Sequence, residues 1–168
     1  AGYHVGRYAT TVTDNFFAYM EPSETGNRTG VRWTTLTNNE GFGLLAVAND
    51  GTMEMSALHY TPQELNNGAH PFEITPIEDT ILRLNAIQIG IGGDNSWGAY
   101  PHSQYLTNAD EYSYSYTLSA IRVGEDAMDR SLVANELTAS TKYLESALAI
   151  ANACKEADYT SASYAVLA

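Results

Sequence analysis

The stretch QIGIGGDNSWGAYPH (88–102) gathers the residue types of a binding loop: glycines at 90, 92 and 93, the polar triplet Asp94, Asn95 and Ser96, then Trp97. Glycine-rich turns cradle phosphate where backbone N–H groups open a helix and a cation stands close. Neither condition is met, since no Lys or Arg lies between 84 and 121, Pro101 stands where a helix would begin, and the GxGxxG pattern is incomplete. A different chemistry fits. Gly92 and Gly93 permit backbone conformations closed to other residues, and Asp94, Asn95 and Ser96 can accept from nearby amides and brace the turn. Trp97 on such a loop offers a flat apolar face to the C–H side of a pyranose ring, with its N–H free for a polar partner. The same residues also allow the indole to fold back as a plug over the end of its own sheets.

Other chemistries find less support. A retaining glycosidase needs two carboxyl groups about 5 Å apart on rigid structure. Here Glu40, Asp50 and Asp110 sit in turn-forming stretches, and the adjacent Glu78 and Asp79 would point to opposite faces of a strand. The four histidines, His4, His59, His70 and His102, lack the HxH or HExxH spacing of a metal site. Cys154 is the only cysteine, which excludes an internal disulfide and a multi-thiolate centre, and no GxSxG signature is present. A carboxylate pair or a metal site would thus have to be assembled from scattered positions, and structural roles for these side chains are the simpler expectation. A formal net charge of −12 repels nucleic acid and anionic membranes. No run approaches the roughly 20 apolar residues needed to span a bilayer. The opening AGYHVGRYATTV lacks the features of a signal peptide and looks like the middle of a longer polypeptide. The 12 Tyr and 2 Trp suit surfaces that meet sugars, peptides or protein, although tyrosines filling the edges of a β-sandwich account equally for most of them.

The elements that must position Trp97 are strands. Short alternating runs recur at 31–36, 43–48, 53–60, 80–91 and 111–123, separated by NNEG, NDG, NNG and NAD, whose residues close tight turns. In the last run Tyr112, Tyr114, Tyr116 and Leu118 share one face. This spacing, with no helix between strands, predicts a mainly β chain folded as an antiparallel β-sandwich over residues 1–124. From 125 a polar linker leads into a helical tail. Residues 131–168 contain 10 Ala and no Gly or Pro, and Leu137, Thr141, Leu144, Leu148 and Ala151 follow helical spacing, with Ser131 as the expected N-cap. A break near Asp158 and a second, short helix complete the tail.

The runs VGRYATTVTDNFFAYMEPSETGNRTGVRWTTLTN, GLLAVA, SALHYTPQEL, HPFEI, IQIGIGGDNSWGAYPH and YSYSYTL, over about residues 3–118, resemble the last part of the C-terminal domain of family 2 β-galactosidases. The resemblance implies part of an antiparallel supersandwich, the fold also used by galactose mutarotases, packed against the catalytic barrel of a parent enzyme. The family's reactive glutamates belong to that barrel, and its magnesium and sodium to other domains. The tryptophan of GGDxSW, here Trp97, reaches over the active-site mouth to stack on the sugar or aglycone. The expected function is thus a non-catalytic segment supplying an aromatic wall for a galactoside. A free-standing carbohydrate-binding module and a purely structural brace are the alternatives. Because the family's domain is about twice as long, open strand edges would favour self-association. The tail LESALAIANACKEADYTSASYAVLA is similar to the start of a FIVAR-type helical module, which implies an extracellular or cell-surface bacterial parent, with a cytoplasmic one as the alternative.

Overall fold

A computed structural model describes residues 4–49, 51–89, 92–95 and 97–138. The chain runs through α1 (Val12–Asn15), β1 (Arg28–Val31), β2 (Trp33–Thr37), β3 (Gly43–Ala48), β4 (Met53–Leu58), α2 (Pro62–Asn67), β5 (Ile81–Asn85), β6 (Tyr116–Ile121) and α3 (Ala127–Thr138), with 3₁₀ turns at Pro71–Glu73 and Ser103–Tyr105. The strands form two three-stranded antiparallel sheets, ordered β1-β4-β5 and β2-β3-β6. The mainly β architecture expected from the alternating runs is thus observed. Two compact units are distinguishable: the described residues up to Arg28 with 54–84, and residues 29–53 with those described from 85 onward.

In the second unit β3 is the central strand because GLLAVA is apolar almost throughout and is buried on both faces from Leu45 to Ala48. The register sets Val47 opposite Trp33 and Thr117, and Leu45 opposite Thr35 and Ser119. Leu45, Val47 and Ile121 pack with Ala134 of α3, and Trp33 and Ala127 close the cluster. The NNEG turn is built as its sequence implies, with Asn38 Oδ1 accepting from the Glu40 and Phe42 N–H groups, both at 3.0 Å, and Gly41 at φ +86°.

Three sequence expectations differ from the structure. The ladder of β6 begins at Tyr116, opposite Ala48, and beyond it the Asn49 N–H donates to Ser115 O at 3.1 Å. The alternation of Tyr112 and Tyr114 therefore continues where β3 has already turned away, and both rings are about half exposed. Similarly β5, which pairs with β4, stops at Asn85, well before the end of the alternating run. Helix α3 begins before Ser131: Asp126 Oδ1 caps it by accepting from Met128 N at 2.8 Å and Asp129 N at 3.1 Å. Ser131 lies inside the helix, buried, with its hydroxyl donating to Met128 O at 2.7 Å.

The first unit contains a helix where none was expected between strands. Thr61 caps α2 by accepting from Glu64 N at 3.1 Å, and Pro62 occupies the first helical turn. The NNG stretch consequently ends this helix instead of joining two strands, with Gly68 N donating to Glu64 O at 3.3 Å. Leu65 then packs with Leu58 and Ile74 beneath Phe16 and Tyr60, whose ring centroids are 4.5 Å apart. Thr141, Leu144, Leu148, Ala151, Cys154, the break near Asp158 and the FIVAR-like stretch lie outside the described residues. Among the described residues no helix is long and apolar enough to cross a membrane.

Candidate functional site

The loop of residues 92–102 follows the glycines after β5. Gly92 and Gly98 both lie at positive φ, +92° and +91°, so the two bends flanking Trp97 need residues without a Cβ. Gly93 is required for a different reason, because a Cβ there would strike the carbonyl oxygens of Ala99 and Tyr100 where the two arms of the loop meet. Asn95 Oδ1 accepts from the Trp97 backbone N–H at 2.9 Å, an Asx-type brace of the kind its short side chain allows. Among the described residues Asp94 bonds to the His102 ring, with Nε2 at 2.8 Å from Oδ1 and 3.0 Å from Oδ2. Ser96 lies outside the described residues.

Trp97 itself is 91% exposed, and Tyr100 and Tyr105 on the same segment are also exposed. The indole is not folded back as a plug. Such a ring can stack on an apolar or C–H-rich face. Two participants escaped the sequence reading, Gly98 and His102. The first was legible as a glycine directly after the tryptophan. The second had as its only signal that Asp94 and His102 are the sole acidic and sole basic side chains between 84 and 109.

The other conspicuous motif, ETGNR, turns out to hold the first unit together. Glu24 pairs with Arg83 and accepts from the Ser56 hydroxyl at 3.1 Å. Thr25 Oγ1 accepts from Phe17 N at 3.0 Å, Asn27 donates to Glu54 at 2.8 Å, and Arg28 donates to Asn15 Oδ1 at 2.8 Å. Buried Asn15 donates in turn to the Gly26 and Ala57 carbonyls at 3.2 and 3.1 Å. Gly26 sits at φ +73° against the Asn15 side chain and backbone, with no room for a Cβ. Among the described residues Asn27 Oδ1 is buried without a partner.

Two of the other histidines serve local structure. His59 Nδ1 lies 3.0 Å from the Asp79 carbonyl, which makes the ring the donor. His70 stacks on Phe72 with centroids 5.2 Å apart and approaches Glu73 at 3.3 Å. Glu73 is held below the ordinary carboxylate value chiefly by the Ala69 N–H it accepts, then by the His70 side chain. An open depression within the first unit is lined by residues 18–21 and 69–72, and Trp97 takes no part in it. Among the described residues no three His, Cys, Asp or Glu side chains converge on a metal position.

Comparison with known proteins matches residues 1–118 to the family described as β-galactosidase small chain. The chain is similar to a β-galactosidase of Streptococcus thermophilus, 34% identical over 71% of this chain and 12% of the relative. It is likewise similar to β-galactosidases of Priestia megaterium (37% identical, 66% of this chain, 11% of the relative) and Lactobacillus delbrueckii subsp. bulgaricus (38%, 66% and 11%). The chain thus spans about a tenth of the length of these relatives.

Proposed function

Because this chain belongs to the β-galactosidase small-chain family, we propose that it is a non-catalytic segment of a β-galactosidase and supplies, through Trp97, an aromatic wall to the parent's sugar-binding cleft. The observation that carries this reading is the 91% exposure of an indole on a loop braced at both ends. Tyr100 and Tyr105, exposed on the same segment, extend the aromatic surface that Trp97 offers to a partner beyond a single ring. In this reading the galactoside supplies the partner face and the catalytic barrel of the parent supplies the reacting carboxylates. Residues 1–124 form the cleft-building domain, and 125–168 the linker and the start of a helical module. Magnesium and sodium belong to other domains of the parent. Among the described residues β2 and β6 are the outer strands of their sheet, the positions at which the rest of the parent or a second copy would add a strand. The FIVAR-like tail favours an extracellular or cell-surface parent over a cytoplasmic one.

A second reading, a free-standing carbohydrate-binding module, draws support from Tyr100 and Tyr105, exposed on the same segment as Trp97. Calorimetric titration of the 168-residue chain with galactose and lactose separates the two. A module binds sugar by itself, whereas one wall of a shared cleft does not, and measurable binding by the chain alone would overturn the shared-cleft reading.

A further inference from the structure

Building on the reading of Trp97 as the sugar-facing residue, we propose that His102 is a positioning residue, which holds the Trp97 loop in its presenting shape by clasping Asp94 across the loop's neck. The exposed indole has almost no protein packed on it, so the backbone of the described loop residues, 92–95 and 97–102, must set its direction. The Asn95 bond and the positive-φ glycines shape the tip, and Gly93 lets the two arms approach closely. Among the described residues, the Asp94–His102 contact is the side-chain link that ties the two arms to each other. Its geometry is that of one ring N–H shared between both carboxylate oxygens, at 2.8 and 3.0 Å.

On the His102 side, Pro101 fixes its own φ and restricts Tyr100 to extended conformations, which lowers the freedom that arm loses when His102 meets Asp94. Between residues 84 and 109 no other charged side chain competes for either group. Exposed pairs of this kind add little to global stability. The consequence of losing the clasp therefore falls on the loop and not on the melting temperature.

The test uses the 168-residue chain and reads the loop directly. Amide hydrogen exchange at the Trp97 backbone N–H, with the Trp33 N–H as internal reference, is compared for the wild type, His102→Ala, His102→Gln and Asp94→Asn. His102→Ala should speed exchange at Trp97 by about three- to fivefold, the size expected for an exposed hydrogen-bonded side-chain pair, with Trp33 and the melting temperature unchanged. His102→Gln keeps an N–H donor and should restore slow exchange. Wild-type exchange in His102→Ala, or failure of the glutamine to rescue, would overturn the clasp. In the complete enzyme His102→Ala should raise KM with kcat unchanged, again rescued by glutamine. If Trp97→Ala leaves the complete enzyme's kinetics untouched while the exchange pattern holds, the cleft reading fails and the clasp stands.

Discussion

Replacing Trp97 with alanine in the complete enzyme probes the proposed wall with little structural side effect. The ring is 91% exposed, so its removal leaves no cavity and should change stability by no more than about 0.5 kcal/mol. Binding is another matter. A sugar ring laid on one indole face covers roughly 80 Å² of it, less than half of what a fully buried ring would hide. At about 25 cal/mol per Å² this amounts to about 2 kcal/mol, equivalent to about a 30-fold weakening. Steady-state kinetics on an aryl galactoside and on lactose give the readout, with denaturant melts as the control. A loss shared by ground state and transition state appears in KM, whereas one confined to the transition state appears in kcat. Trp97→Phe, with a smaller face, should recover most of the loss. Kinetic constants within about twofold of wild type in the alanine variant, or a large drop in stability, would refute the reasoning.

Other residues give further checks. Gly93→Ala places a methyl group against the carbonyl oxygens of Ala99 and Tyr100, so exchange at the Trp97 amide should accelerate and chain stability fall by about 1–3 kcal/mol, measured by urea titration. Asn15→Ala leaves the Arg28 guanidinium and the Gly26 and Ala57 carbonyls without their partner, which should cost about 2–3 kcal/mol in the same assay, and a loss below about 0.5 kcal/mol would show that this network does not hold the first unit. Glu73 is depressed below its ordinary 4.5 in the folded chain, so its contribution is present above that value and is lost as pH falls through the lower folded-state value. Melts between pH 3 and 6 should therefore show acid destabilisation that Glu73→Gln diminishes.

Local signals in the sequence were sufficient where a single element decides its own structure. GLLAVA is apolar enough to be central wherever it pairs, and Asn38 and Gly41 close their turn without outside help. Strand ends were not legible in this way, because the alternation of Tyr112 and Tyr114 says nothing of where β3 stops providing a partner. Helix α2 was marked by Thr61, Pro62 and Glu64, a local signature overshadowed by the strands around it. At α3 two capping residues compete within one polar stretch, and Asp126 precedes Ser131. The glycine-rich loop was visible as a loop with its tryptophan. The clasp was not, since it joins residues eight positions apart through side chains whose meeting depends on the bends at Gly92 and Gly98. ETGNR was visible only within the run that carries the family resemblance, and its partners Asn15, Glu54, Ser56 and Arg83 come from distant segments.

A crystal structure of the complete β-galactosidase with a bound galactoside tests the central claim most directly. The account requires the Trp97 indole to lie within about 4.5 Å of the sugar or its aglycone, face on. An indole pointing away from the occupied cleft, or covered by protein with no sugar in reach, would contradict it.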